Sequence, residues 1–120
     1  MIENRAEQKE ALETLLEFNE RLLKNMRIVS KELSGARLDD TDIFLEDILK
    51  AINWEIQVLN GTMELLNEKE ENVDKKAFNQ AIVELNAAVE EKDDAKMAAA
   101  FEAVIPLFEK LGEAARKAVA

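Results

Sequence analysis

From Leu12 to Leu33 the inward-type residues recur at alternating steps of three and four: Leu12, Leu15, Leu22, Met26, Val29 and Leu33, with Asn19 filling the one step that is not apolar. A backbone turning about 100° per residue gathers these positions on one face, so the spacing predicts a helix from about Asn4 to Ser34. Ala11, Leu16, Phe18 and Leu23 widen the face to somewhat under half the circumference, the width of a bundle helix that touches two neighbours. Glu17 with Arg21 and Glu20 with Lys24 form i,i+4 pairs on the wet side, and Gly35 is a natural stop. A helix this long commits the chain to bury its stripe against other helices.

Asp39 or Asp40 starts a second helix. With Asp39 as N-cap, Leu38 and Ile43 hold the positions of a hydrophobic staple, and Asp40 and Asp42 lie near the positive end of the dipole. This helix continues to about Glu68, so both long helices measure roughly 45 Å and match as an antiparallel hairpin. The polar stretch NEKEENV, residues 67–73, is read as a turn, because Val73 and Phe78 flank Asp74 in the staple pattern of a third helix. Phe78, Ala81, Ile82, Leu85 and Val89 are its stripe. A fourth helix begins after Asp93 or Asp94 and buries Met97, Ala100, Phe101, Val104, Leu107, Phe108 and Leu111. Pro106 lies inside that pattern and predicts a kink or break near Ala103 to Ile105. With aromatics at 5%, one Pro and three Gly, nothing favours strand. The expected fold is all-α, an antiparallel up-down four-helix bundle over residues 1–120 as a single domain, with a long first hairpin, a shorter second hairpin and a Pro-kinked last helix.

The chain has no histidine and no cysteine. That removes Ser/His/Asp and Cys/His nucleophile systems, zinc sites of the usual kind and the Glu-x-x-His pairs of di-iron bundles. Gly35, Gly61 and Gly112 are isolated, so no phosphate-cradling loop exists. The net charge is −10, and each half of the chain carries 13 acids and 8 bases, so no basic lobe offers a nucleic-acid surface. No apolar run reaches the roughly 20 residues that span a bilayer, and MIENRAEQKE lacks the apolar core of a signal peptide. The expectation is a cytoplasmic protein without membrane or nucleic-acid partners, and no catalytic residue, cofactor or metal is assigned.

Four polar features could carry chemistry. Asp39, Asp40 and Asp42 lack the further acids and the Gly of a calcium loop, and helix capping accounts for them. Glu55 falls between Ile48, Ile52 and Thr62 on the helical wheel, where a partly desolvated carboxyl could do acid/base work; the plainer expectation is a Glu at an interface edge with its head in water or paired to a Lys. Asn19, on the first helix's apolar face, is the kind of inward amide that sets register. Asn53, Gln57, Asn60 and Asn67 line one flank of the second helix, as an exposed polar edge or as hydrogen-bonding groups for a neighbour.

The stretch NWEIQVLNG, residues 53–61, raises a packing question. Leu45, Leu49, Ile52, Ile56, Leu59, Met63 and Leu66 form the expected seam of helix two. Phe44, Ile48, Ala51, Val58, Thr62 and Leu65 extend it, until Trp54 and Gly61 lie nearly opposite its centre. A Trp offers on the order of 200 Å² for burial, and Gly61 permits a close approach. Three arrangements would use this arc: the second hairpin wrapping over helix two, a homodimer, or a groove for another protein's helix or peptide. The interface residues expected on this basis are Phe44, Ile48, Trp54, Val58, Gly61 and Leu65, in a non-enzymatic interaction or adaptor module that forms a homodimer. A binder of metal or ligand through carboxylates alone is the rival.

The segment EEKDDAKMAAAFEAVIPLFEKL, with Asp94, Glu102, Pro106 and Glu109, looks like a recurring pattern in small uncharacterised bacterial helical-bundle proteins. It covers about a fifth of the chain. The resemblance implies a small bundle without an assigned activity, and it adds no catalytic residue. In general shape the chain also resembles flagellar export chaperones, acidic helical proteins that hold a partner's helices, an analogy of architecture alone.

Overall fold

Asn4 opens the first helix through a reciprocal cap: its side-chain oxygen accepts the Glu7 N–H at 2.8 Å and its amide donates to the Glu7 carboxylate at 2.7 Å. The computed structural model describes residues 4–120, so Met1 to Glu3 of the stretch read for a leader lie outside the described residues. Helix α1 spans Arg5–Leu33, α2 Thr41–Leu66, α3 Lys75–Glu91 and α4 Asp94–Val119, with no strand among the described residues. The molecule measures 43 × 24 × 22 Å, the long axis being about the length of α1 at 1.5 Å per residue.

The connections explain the ends. Gly35 follows α1 at φ 110°, a conformation that side chains rarely adopt. At the start of α2, Asp40 holds the N-cap position but its side chain makes no capping hydrogen bond. The Thr41 hydroxyl organises the turn instead, accepting the Leu38 N–H at 2.8 Å and donating to Glu32 at 2.8 Å. The expected staple does not form, since Leu38 and Ile43 are 60% and 66% exposed.

Residues 67–74 turn without Gly or Pro because two amides replace the missing backbone partners. The Asn67 oxygen accepts the N–H groups of Asn72 and Val73, and the Asn72 amide donates to the Leu66 carbonyl. Asp74 then caps α3 on the Ala77 N–H, with Val73 and Phe78 both buried as the staple pattern requires. Lys92 ends α3 in the left-handed conformation at φ 54°, and Asp93 caps α4 on the Lys96 N–H at 3.1 Å.

Helix α4 runs through Pro106 without the expected break. Pro106 and Glu102, whose carbonyl loses its helical donor, are both exposed, so that oxygen is open to water. Phe101, Val104, Phe108 and Leu111 are buried on the opposite side, and the buried stripe continues past the proline.

All four helices contribute to one core, but they pack in the order α2, α1, α4, α3, with α2 also touching α4. Helix α3 packs on α4 alone, with Phe78 set edge-on to Phe108 at 5.3 Å. The wrapping of the second hairpin over α2 is therefore overturned: α1 and α4 form the centre and α2 lies to one side. The second hairpin is also unequal, 17 residues in α3 against 26 in α4.

Candidate functional site

Helix α2 is turned from the expected orientation. Its buried line is Thr41, Leu45, Ile48, Ile52, Glu55, Leu59, Thr62 and Leu66, stepping by four and three, with Val58 and Leu65 beside it. Leu49, Ile56 and Met63, expected in the seam, are half-buried at its edge. The turn brings Glu55 into the middle of the contact, not to its rim.

Glu55 is 1% exposed, and neither carboxyl oxygen has a hydrogen-bond partner. Thr62, two turns along, does not help, because its hydroxyl donates to the carbonyl of Val58 at 2.7 Å. Loss of water pushes the Glu55 carboxyl from the ordinary value near 4.5 up to about 8. At pH 7 the neutral acid therefore predominates, with an O–H to donate and oxygens to accept. The expectation of a head in water or paired to a Lys is corrected.

Beside Glu55 a groove of about 560 Å³ opens between α1 and α2. Burial orders its lining by depth. Glu55, Ile48 and Leu22 form the floor at 1%, 2% and 4% exposure, while Phe18 and Trp54 stand at the mouth at 46% and 38%. The two rings meet edge-on, 5.9 Å between centroids and 83° between planes. Phe44 and Ala51 complete the apolar wall, Asn25 is the neutral polar group, and Arg21 and Asp47 are the charged ones besides Glu55.

The six residues expected at an interface divide accordingly. Phe44 and Gly61 are half-buried and Trp54 is exposed, while Ile48, Val58 and Leu65 turn into the chain's own core. Of the six, Phe44, Ile48 and Trp54 line the groove. Phe18, on the opposite wall, is a core-widening position by its spacing; its place beside Trp54 depends on how α1 and α2 are set against each other, which no local signal carries.

The other polar candidates are structural. Asn19 is 1% exposed and donates from its amide to the Phe108 carbonyl at 3.4 Å, its nitrogen lying where a Cβ on Gly112 would stand, only 2.5 Å away. Asn53, Gln57 and Asn60 are exposed, and Asn67 belongs to the turn. Asp42 pairs with Arg37, which also forks onto Asp94 at 2.8 and 3.0 Å, tying the α1–α2 connection to the start of α4. That guanidinium lowers the Asp94 pKa below the usual aspartate range. Among the described residues no three acids are gathered as a metal site would need, and no helix is long and apolar enough to cross a membrane.

Comparison with curated proteins and comparison with solved structures found no match. A family model does match, over residues 10–114, which takes in nearly all of α1 and α4, the whole of α2 and α3, and every residue that lines the groove. The chain belongs to the family described as a domain of unknown function, DUF8042.

Proposed function

We propose that this protein is a non-enzymatic binding module whose working surface is the groove between α1 and α2. The observation that carries the reading is the Phe18–Trp54 pair, two large rings held edge-on and partly exposed at the mouth of an apolar groove. Rings of this size are worth several kcal/mol when fully buried, at about 25 cal/mol per Å², so an occupant that covers them is favoured. Groove volume supports the same reading, since pockets for small ligands or anchor side chains run from about 300 to 1,000 Å³. Catalysis has little to work with there: the charged lining is Arg21, Asp47 and the neutral, unpartnered Glu55.

The reading assumes an antiparallel up-down course. It is supported by contacts whose numbers run in opposite senses, Arg5 with Glu68 and Glu32 with Thr41 across α1 and α2, and Ser30 with Ala98 and Asn19 with Phe108 across α1 and α4. A cytoplasmic setting, in keeping with the absence of cysteine, belongs to the same proposal.

The test uses Trp54, the single tryptophan, as reporter. The apolar fluorophore N-phenyl-1-naphthylamine should bind at one saturable site, quench Trp54, and lose its site in Ala51→Trp, which fills the groove. Binding that does not saturate, or that Ala51→Trp leaves unchanged, overturns the groove as working surface.

Homodimerisation is the second reading, favoured by one observation. Ile43 is 66% exposed and stands eleven residues before Trp54, on the same side of α2, so an apolar line continues past the groove. Sedimentation of the wild type and Trp54→Ala checks it: a dimer that dissociates in the variant supports it, and a wild-type monomer at high concentration removes it.

A further inference from the structure

The groove has apolar walls, a ring-lined mouth and, on its floor, one acid with no partner in the protein. Structural acids in a helix seam are normally hydrogen-bonded, because an unpartnered buried polar group costs on the order of 1–3 kcal/mol. Asn19, in the α1–α4 seam, meets half of that need, donating to the Phe108 carbonyl while its own oxygen is unpaired. Glu55 lies beside the groove, and neither of its oxygens is met. The missing partner must therefore bring hydrogen-bond donors, carry apolar bulk to fill about 560 Å³, and pass three aromatic rings, Phe18, Phe44 and Trp54, at the mouth or wall.

We propose that the α1–α2 groove binds an apolar organic amine, its ammonium group seated on Glu55 and its hydrocarbon body against Phe18, Phe44 and Trp54. An ammonium offers three donors to the two unmet oxygens and no acceptor that would be left unpaired. Aromatic faces attract a cation as it enters, and the acidic protein as a whole draws cations toward it. An alcohol can pair with the neutral acid but brings no charge that would hold it ionised, and a carboxylate would repel the ionised form. The charged groups lining the groove are Arg21 on α1 and Asp47 on α2, both exposed, and no residue of α4 lines it. On binding, the neutral Glu55 gives its proton to solvent and the ion pair forms, so association near pH 7 releases close to one proton.

This inference rests on the groove being the working surface, and the experiment separates the two. The probes are 4-phenylbutylamine and 4-phenyl-1-butanol, which differ only in the polar head. They are titrated calorimetrically at pH 7 in two buffers of different ionisation enthalpy, at two protein concentrations. The expected result is tenfold or greater preference for the amine, proton release with the amine only, and loss of both in Glu55→Gln, whose fold is checked by its helical circular dichroism. Equal affinities, or amine binding without proton release, overturn the role of Glu55 and leave the groove standing. Failure of both probes in the wild type overturns the groove as well. Affinity that falls as protein concentration rises identifies a second copy as the occupant and overturns the amine.

Discussion

Helix α1 makes two seams, each with an inward polar residue: the Asn19 amide nitrogen is bonded and its oxygen is not, while neither Glu55 oxygen is bonded. Toward α4, Gly112 lets the helices close until the Asn19 amide fills the space of a missing side chain and reaches the Phe108 carbonyl. The same seam holds Phe101 and Phe108 at 0% exposure and ends in a second cross-helix bond, Ser30 to the Ala98 carbonyl. Toward α2, a groove opens between the helices, and Glu55 is buried without a partner. One seam is closed. The other leaves a groove beside an unpartnered acid, and the proposed binding surface lies there.

The largest effect should come from breaking the tight seam. Phe108→Ala removes a fully buried ring that also holds α3, and is expected to cost about 3–5 kcal/mol in urea unfolding. Phe44→Ala, a half-buried wall residue of the groove, should cost well under that. Equal losses would mean that the two seams are equally packed.

Glu55 sets the next effect. Its folded pKa lies above its unfolded value, so the folded state holds the proton while the unfolded chain gives it up. Stability is therefore full below about pH 4.5, falls as pH rises toward 8, and levels off above, by about 5 kcal/mol. Glu55→Leu should abolish that slope and be more stable than wild type at pH 8. A wild-type curve flat from pH 5 to 8, followed by chemical denaturation, would show that the carboxyl is not held dry.

Gly112→Ala tests the close approach. The new Cβ would meet the Asn19 nitrogen at 2.5 Å, so a loss of about 1–3 kcal/mol is expected, and Asn19→Ala in the same chain should return part of it. Strictly additive losses would separate the two residues. Outside both seams, Lys92→Gly relieves a left-handed backbone and should gain about 0.5–1 kcal/mol in thermal unfolding.

Much of the fold was legible because it is local. Asp74 and Asp93 capped the helices they were expected to cap, Val73 and Phe78 took their places, and residues 67–73 turned where a polar stretch interrupts the stripe. The departures share a cause. Leu38 and Ile43 have staple spacing, yet both stay largely exposed; Pro106 does not break α4, since it lies on the exposed side and the buried face persists through it. In each case the outcome depends on what lies opposite.

The same distinction governs the candidate site. The sequence by itself determined that the chain is helical, that its site chemistry excludes histidine and thiol, and that Glu55 lies on the wheel among Ile48, Ile52 and Thr62. A helical wheel fixes angles between residues of one helix but not the direction the whole helix faces. Only the tertiary structure decided that α2 presents Glu55 inward and Trp54 outward, and that Phe18 meets Trp54 across the gap. That choice depends on which side chains meet between helices: Gly112 of α4 makes room for Asn19 of α1, while between α1 and α2 a groove remains beside the Glu55 carboxyl.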